Sequence, residues 1–149
     1  MIFFEIYITI YVIIIYLVFI IDMIEKTNDN AKNIIELDLK WSGIIKGHDG
    51  GWTAIPNLLL KKQGELKLKA IELNVLINLI RFWWSSDNAP FPSLEKMAIE
   101  MGVSERTVYR TVSSLEENGF IKRVQQEGKA TRYELLGLVE KLKIIKNVM

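Results

Sequence analysis

Apolar residues fill positions 1–21 apart from Glu5 and Thr9, and at Asp22 the chain switches abruptly to mixed polar sequence. That length is close to the roughly 20 residues a helix needs to cross a bilayer. Read as a span, it is followed by Lys26 and Lys32, which favour a cytoplasmic C-terminal side and a single-pass inner-membrane protein. It lacks the basic start and small-residue cleavage site of a signal peptide. The competing reading makes Met23 the true start, residues 1–21 a spurious extension, and the protein cytoplasmic; a buried helix or strand is a third. Residues 22–51 read as a linker and N-terminal arm. Within them 27–33 is polar, 34–41 is mixed, and Gly43, Gly47, Gly50 and Gly51 surround His48.

Regular periodicity begins after Trp52. Pro56 stands near the first turn of a short helix that Gly64 ends. Residues 68–84 carry the longest helical pattern, with Leu73, Leu76, Ile77, Ile80 and Trp84 on one stripe and Leu79 and Trp83 beside it. Aromatic residues at a helix end usually belong to a core or an interface, so Phe82-Trp83-Trp84 reads first as packing and second as a stacking platform for single-stranded bases.

The organising stretch is 92–118. Ser93, after Pro92, caps a helix whose Leu94, Met97, Ala98 and Met101 share one face, and Gly102 stops it. Ser104 caps a second helix with Val108, Val112 and Leu115 turned inward, ended by Asn118-Gly119. Small Ala98 lets the helices cross closely, and Val103 fills the angle between them. This is a helix-turn-helix. The outward side of its second helix shows Arg106, Thr107, Tyr109, Arg110, Ser113 and Ser114, residue types that read bases or hold phosphates, with no carboxylate among them.

Beyond it, Lys122-Arg123-Val124, a turn over 125–130 and Thr131-Arg132-Tyr133-Glu134-Leu135 predict a β-hairpin. A last amphipathic helix places Leu138, Leu142 and Ile145 on one side, either to cover the core or to meet a second copy.

The sequence Pro90-Phe91-Pro92-Ser93, the Gly-Val-Ser turn at 102–104, Arg106-Thr107-Val108-Tyr109-Arg110 and the Leu-Glu-Glu-Asn-Gly-Phe-Ile run at 115–121 resemble the bacterial winged helix-turn-helix family, whose members include transcription regulators and plasmid or phage replication initiators. The resemblance implies a major-groove role for the second helix, with Ser104, Arg106, Thr107, Tyr109, Arg110 and Ser113 as DNA-binding residues. It also implies a first short strand position at Phe91. The hairpin becomes the wing, whose Lys122, Arg123, Lys129 and Arg132 are placed to meet phosphates or the minor groove.

The expected fold is therefore mainly α with a small β-hairpin, a winged helix-turn-helix over 52–135 followed by a C-terminal amphipathic helix at 136–149. A formal net charge of +1 looks weak for a DNA binder, but it averages unlike regions. From Pro90 onward there are ten Lys/Arg against eight Asp/Glu, whereas 22–60 has four against six. So slight an excess suggests modest binding by one copy and favours a homodimer on double-stranded DNA. With no cysteine, one histidine, no phosphate-binding loop and no metal-ligand spacing, an enzyme is disfavoured and neither a metal nor another cofactor is expected. The expected function is sequence-specific DNA binding, as a transcription regulator or mobile-element replication initiator. The alternatives are a winged-helix protein-interaction module and a membrane-tethered regulator.

Overall fold

The computed structural model describes residues 2–46, 51–125 and 127–148, with the backbone alone at 2–12, 29 and 30. The chain divides into two units, Met1–Trp52 and Thr53–Met149.

The first unit is a single long helix, α1 (Ile2–Lys40), and the turns that follow it to Lys46. It differs from the expected division at residue 21, because the helix runs on through 27–33 instead of opening into a linker. At the entry to that stretch, Lys26 Nζ pairs with Asp22 at 2.8 Å, and Thr27 Oγ1 donates to the Met23 carbonyl at 2.7 Å. Asp38 is buried near the helix end and pairs with Lys46 at 2.5 Å. Among the described residues, no helix is long and apolar enough to cross a membrane. The side chains at 1–12, more than half of the expected span, and His48 lie outside the described residues.

The second unit runs α2 (Asn57–Lys62), α3 (Ala70–Arg81), α4 (Leu94–Met101), α5 (Glu105–Glu117), β1 (Lys122–Val124), β2 (Arg132–Glu134) and α6 (Leu136–Val148). Its core is continuous. Val75, Leu76 and Leu79 of α3 meet Met97 and Ala98 of α4 and Val108, Val112 and Leu115 of α5, all closed to solvent. Burying each large aliphatic side chain there stabilises the fold by roughly 1.5–3 kcal/mol relative to exposure.

The helix-turn-helix forms by the local chemistry its sequence announces. Ser93 Oγ accepts the Lys96 N–H and Ser104 Oγ the Thr107 N–H, both at 3.2 Å, so each helix starts on a hydroxyl cap. Between them Gly102 adopts φ +65°, a left-handed conformation that costs other residues roughly 1–2 kcal/mol. Val103 packs at the edge of the core.

Two details depart from the sequence expectation. Helix α3 ends at Arg81, and the N–H groups of Phe82 and Trp83 bond carbonyls three residues back, at Leu79 and Ile80. The helical phase is lost there, so Trp84 leaves the core stripe and is 83% exposed. Phe91 forms no strand. Pro90 and Pro92 have no N–H to extend a ladder, and one backbone bond, Tyr133 N–H to the Pro90 carbonyl at 2.8 Å, fastens the segment to the hairpin. Helix α6 belongs to the same unit as residues 53–135, since Leu138 is buried in the shared core and Leu142 packs against it.

The hairpin is antiparallel, with Lys122 opposite Glu134, Arg123 opposite Tyr133 and Val124 opposite Arg132. Alternation along β2 sends Tyr133 inward.

Candidate nucleic-acid interface

Helix α5 buries Val108, Thr111, Val112 and Leu115 and turns the rest of its surface outward. Its 3.6-residue period leaves Arg106, Tyr109 and Arg110 exposed and Ser113 half-buried on that outward side. Tyr109 is 48% exposed, so its ring is available while its base is held. Ser104 and Thr107 are joined hydroxyl to hydroxyl at 2.7 Å, and Ser104 caps the helix; both are committed to building its start. Ser114 is committed too, donating to Glu72 of α3 at 2.8 Å.

The wing divides its four expected contacts. Arg123 is held by Glu116 of α5: the carboxylate accepts the Arg123 backbone N–H at 2.8 Å and its Nε at 2.6 Å. These bonds hold the Glu116 carboxyl below its ordinary range, the side-chain bond contributing most. Arg132 donates to the Ala89 carbonyl at 3.1 Å and lies over the Phe91 ring, 5.0 Å from its centroid. Both arginines therefore serve the fold as they stand. Lys122 and Lys129 are exposed and, among the described residues, carry no ion pair. Beneath the hairpin, burial pushes the Tyr133 phenol above 10.0; neighbouring Tyr109 adds to the shift and Arg123 opposes it.

A residue absent from the sequence expectation also joins the site. Lys69, which precedes α3, lines a cleft of about 290 Å³ with Thr107, Arg110 and Ser114 of α5. Only the packing of α3 on α5 brings it there, and a lone exposed lysine gives no sequence signal. Among the described residues, no group of three or more His, Cys, Asp or Glu side chains could hold a metal ion.

A helix-turn-helix that turns Arg106, Tyr109 and Arg110 outward beside a two-stranded hairpin defines a winged-helix-like domain. Over residues 55–147, more than half its length, the chain matches the DnaD N-terminal domain family and belongs to it. The crystal structure of the N-terminal domain of DnaD protein from Geobacillus kaustophilus HTA426 is similar over 66% of this chain and 82% of that one, at 30% identity and a TM-score of 0.53. A crystal structure of MarR aligns with 76% of this chain and 75% of its own at 18% identity, with a TM-score of 0.37. No protein of curated function matches.

Proposed function

We propose that the second unit binds double-stranded DNA sequence-specifically, with α5 in the major groove, and that the chain serves replication initiation of a mobile element or, second, transcription regulation. The observation that carries this is the outward stripe of Arg106, Tyr109 and Arg110 on a helix whose other side is locked into the core. An arginine on such a helix can offer two donors to guanine, and the tyrosine a ring and a hydroxyl. Lys122, Lys129 and Lys69 lie around it as phosphate partners, which position the helix without reading sequence. The DnaD N-terminal domain match agrees with the resemblance to replication initiators in the sequence. The protein works as a cytoplasmic binding protein without catalysis or cofactor, and pairing of two copies offsets the weak field of one.

Titration of the full chain against a randomised duplex pool with poly(dI-dC) competitor, at two salt concentrations, tests this. Salt-sensitive binding that enriches a sequence is the expected result. Salt-sensitive binding without enrichment removes the sequence-specific part, and no binding at either salt removes DNA and leaves the protein-interaction module.

A further inference from the structure

We propose that the cleft between the end of α3 and the start of α4 is a second site, which takes an unpaired base of single-stranded DNA. Three aromatic side chains meet around it, Phe82, Trp84 and Phe91, at 36%, 83% and 58% exposure. Rings that served only packing would be closed to solvent, and a cluster of exposed ones marks a contact surface.

Two of the rings are positioned in advance. Phe91 is held between Pro90, whose carbonyl is fastened to Tyr133, and Pro92, and Arg132 lies over its ring at 5.0 Å. Phe82 carries the Arg81 guanidinium 4.7 Å from its centroid. A ligand that stacks on Phe82 or Phe91 has little side-chain freedom to freeze, which favours binding.

Charge and size select the ligand. Arg81 and Lys96 border the cleft against one carboxylate, Glu100, which pairs with Arg81 and stands 3.9 Å from the mostly exposed Lys96. A positive rim around stacked rings complements a flat base on a phosphate chain better than an apolar or basic peptide. The cleft measures about 300 Å³, at the lower end of ligand pockets. It admits a base that is out of its stack, whereas bases in a duplex are not available to it. None of its lining residues lies on α5 or the wing, so this site stands apart from the duplex-binding proposal.

Fluorescence anisotropy of the full chain with a labelled oligo-dT of about 12 nucleotides tests it, with an abasic strand of equal length as the second probe. Trp84→Ala should weaken oligo-dT binding about tenfold, given typical stacking contributions, and Trp84→Phe should restore most of it. The wild-type chain should bind the abasic strand as weakly as Trp84→Ala binds oligo-dT. Because Trp84 is so exposed, the alanine variant keeps its fold, which far-UV circular dichroism verifies. Equal oligo-dT binding by wild type and Trp84→Ala, equal binding of the two strands, or no oligo-dT binding by the wild type would each overturn the proposal. Duplex binding, read in parallel, should be the same in all variants.

Discussion

Ser114 on α5 donates its hydroxyl to Glu72 of α3 at 2.8 Å, and the other oxygen of the same carboxylate accepts the Lys69 backbone N–H at 2.8 Å. Glu72 is only 6% exposed, so this carboxylate fixes α5 against the start of α3 from inside the domain. Deleting the donor strands a nearly buried acceptor, which costs about 1–3 kcal/mol. Ser114→Ala should therefore lower the urea midpoint of the chain. Glu72→Gln should cost less, because the amide keeps an acceptor for Lys69 and the serine hydroxyl can turn to accept. An unchanged midpoint in Ser114→Ala would show that the bond contributes nothing net.

The Glu116–Arg123 pair ties α5 to the hairpin and neutralises the Arg123 charge. At roughly one-third exposure on both sides it adds no more than about 1 kcal/mol to stability. Glu116→Gln preserves an acceptor for the Arg123 N–H and releases the guanidinium. Duplex affinity should rise, and the salt dependence should steepen by about one phosphate contact. Unaltered affinity and slope would place Arg123 off the DNA.

Gly137, in the first turn of α6, faces the backbone of the turn after α5. A β-carbon there would overlap the Gly119 carbonyl oxygen and approach the Phe120 oxygen at 3.2 Å. Gly119 itself holds φ +67°, and its carbonyl is fixed by that turn. Backbone cannot swing aside as a side-chain end can, so Gly137→Ala should destabilise by roughly 1–3 kcal/mol, as overpacking does. Gly64→Ala, with nothing within 4 Å and no positive φ, should be neutral or slightly stabilising. Thermal melts of the two variants give the contrast directly.

Two carboxyls sit below 4.5: Glu100, chiefly through its hydrogen bond from Arg81, and Glu116, chiefly through that from Arg123. Each binds fewer protons in the folded chain than in the unfolded one between its two pKa values. Their stabilisation is thus complete above 4.5 and is lost as pH falls through the lower folded values. The melting temperature of Glu100→Gln/Glu116→Gln should lie below that of wild type near neutral pH, and the gap should close as the solution is acidified below about 4.5. A gap of constant size would assign the loss to something other than ionisation.

Local chemistry made the helix-turn-helix legible. Ser93, Gly102 and Ser104 act through neighbours within four residues, and the apolar spacing of α5 names its buried face, so one sequence window holds the whole signal. What escaped the sequence depends on partners far along the chain. Nothing near Arg123 says that Glu116 will take it, and nothing near Lys69 says that it will stand beside Arg110. Trp84 fitted the periodicity of α3 yet lies past its end, because periodicity does not mark where a helix tightens and stops. The polar residues at 27–33 looked like a linker by composition, whereas α1 runs on through them.

In the proposed mode of binding, Arg110 and Lys129 divide the two parts of DNA recognition between them. Arg110 stands on the outward face of α5 beside the cleft that Lys69 enters, in place to reach base edges or the flanking phosphate. Lys129 sits in the turn of the hairpin, exposed, where only phosphates or the minor groove come within reach of a wing. Arg110→Ala should cost about 1–3 kcal/mol on the enriched duplex and much less on a scrambled one, narrowing the gap between them. Lys129→Ala should weaken both duplexes alike and reduce the salt slope by about 1. Competition anisotropy with both duplexes at two salt concentrations separates the patterns. An Arg110→Ala variant that loses equal affinity for the two sequences would make this arginine a phosphate contact and pass base reading to Arg106 and Tyr109.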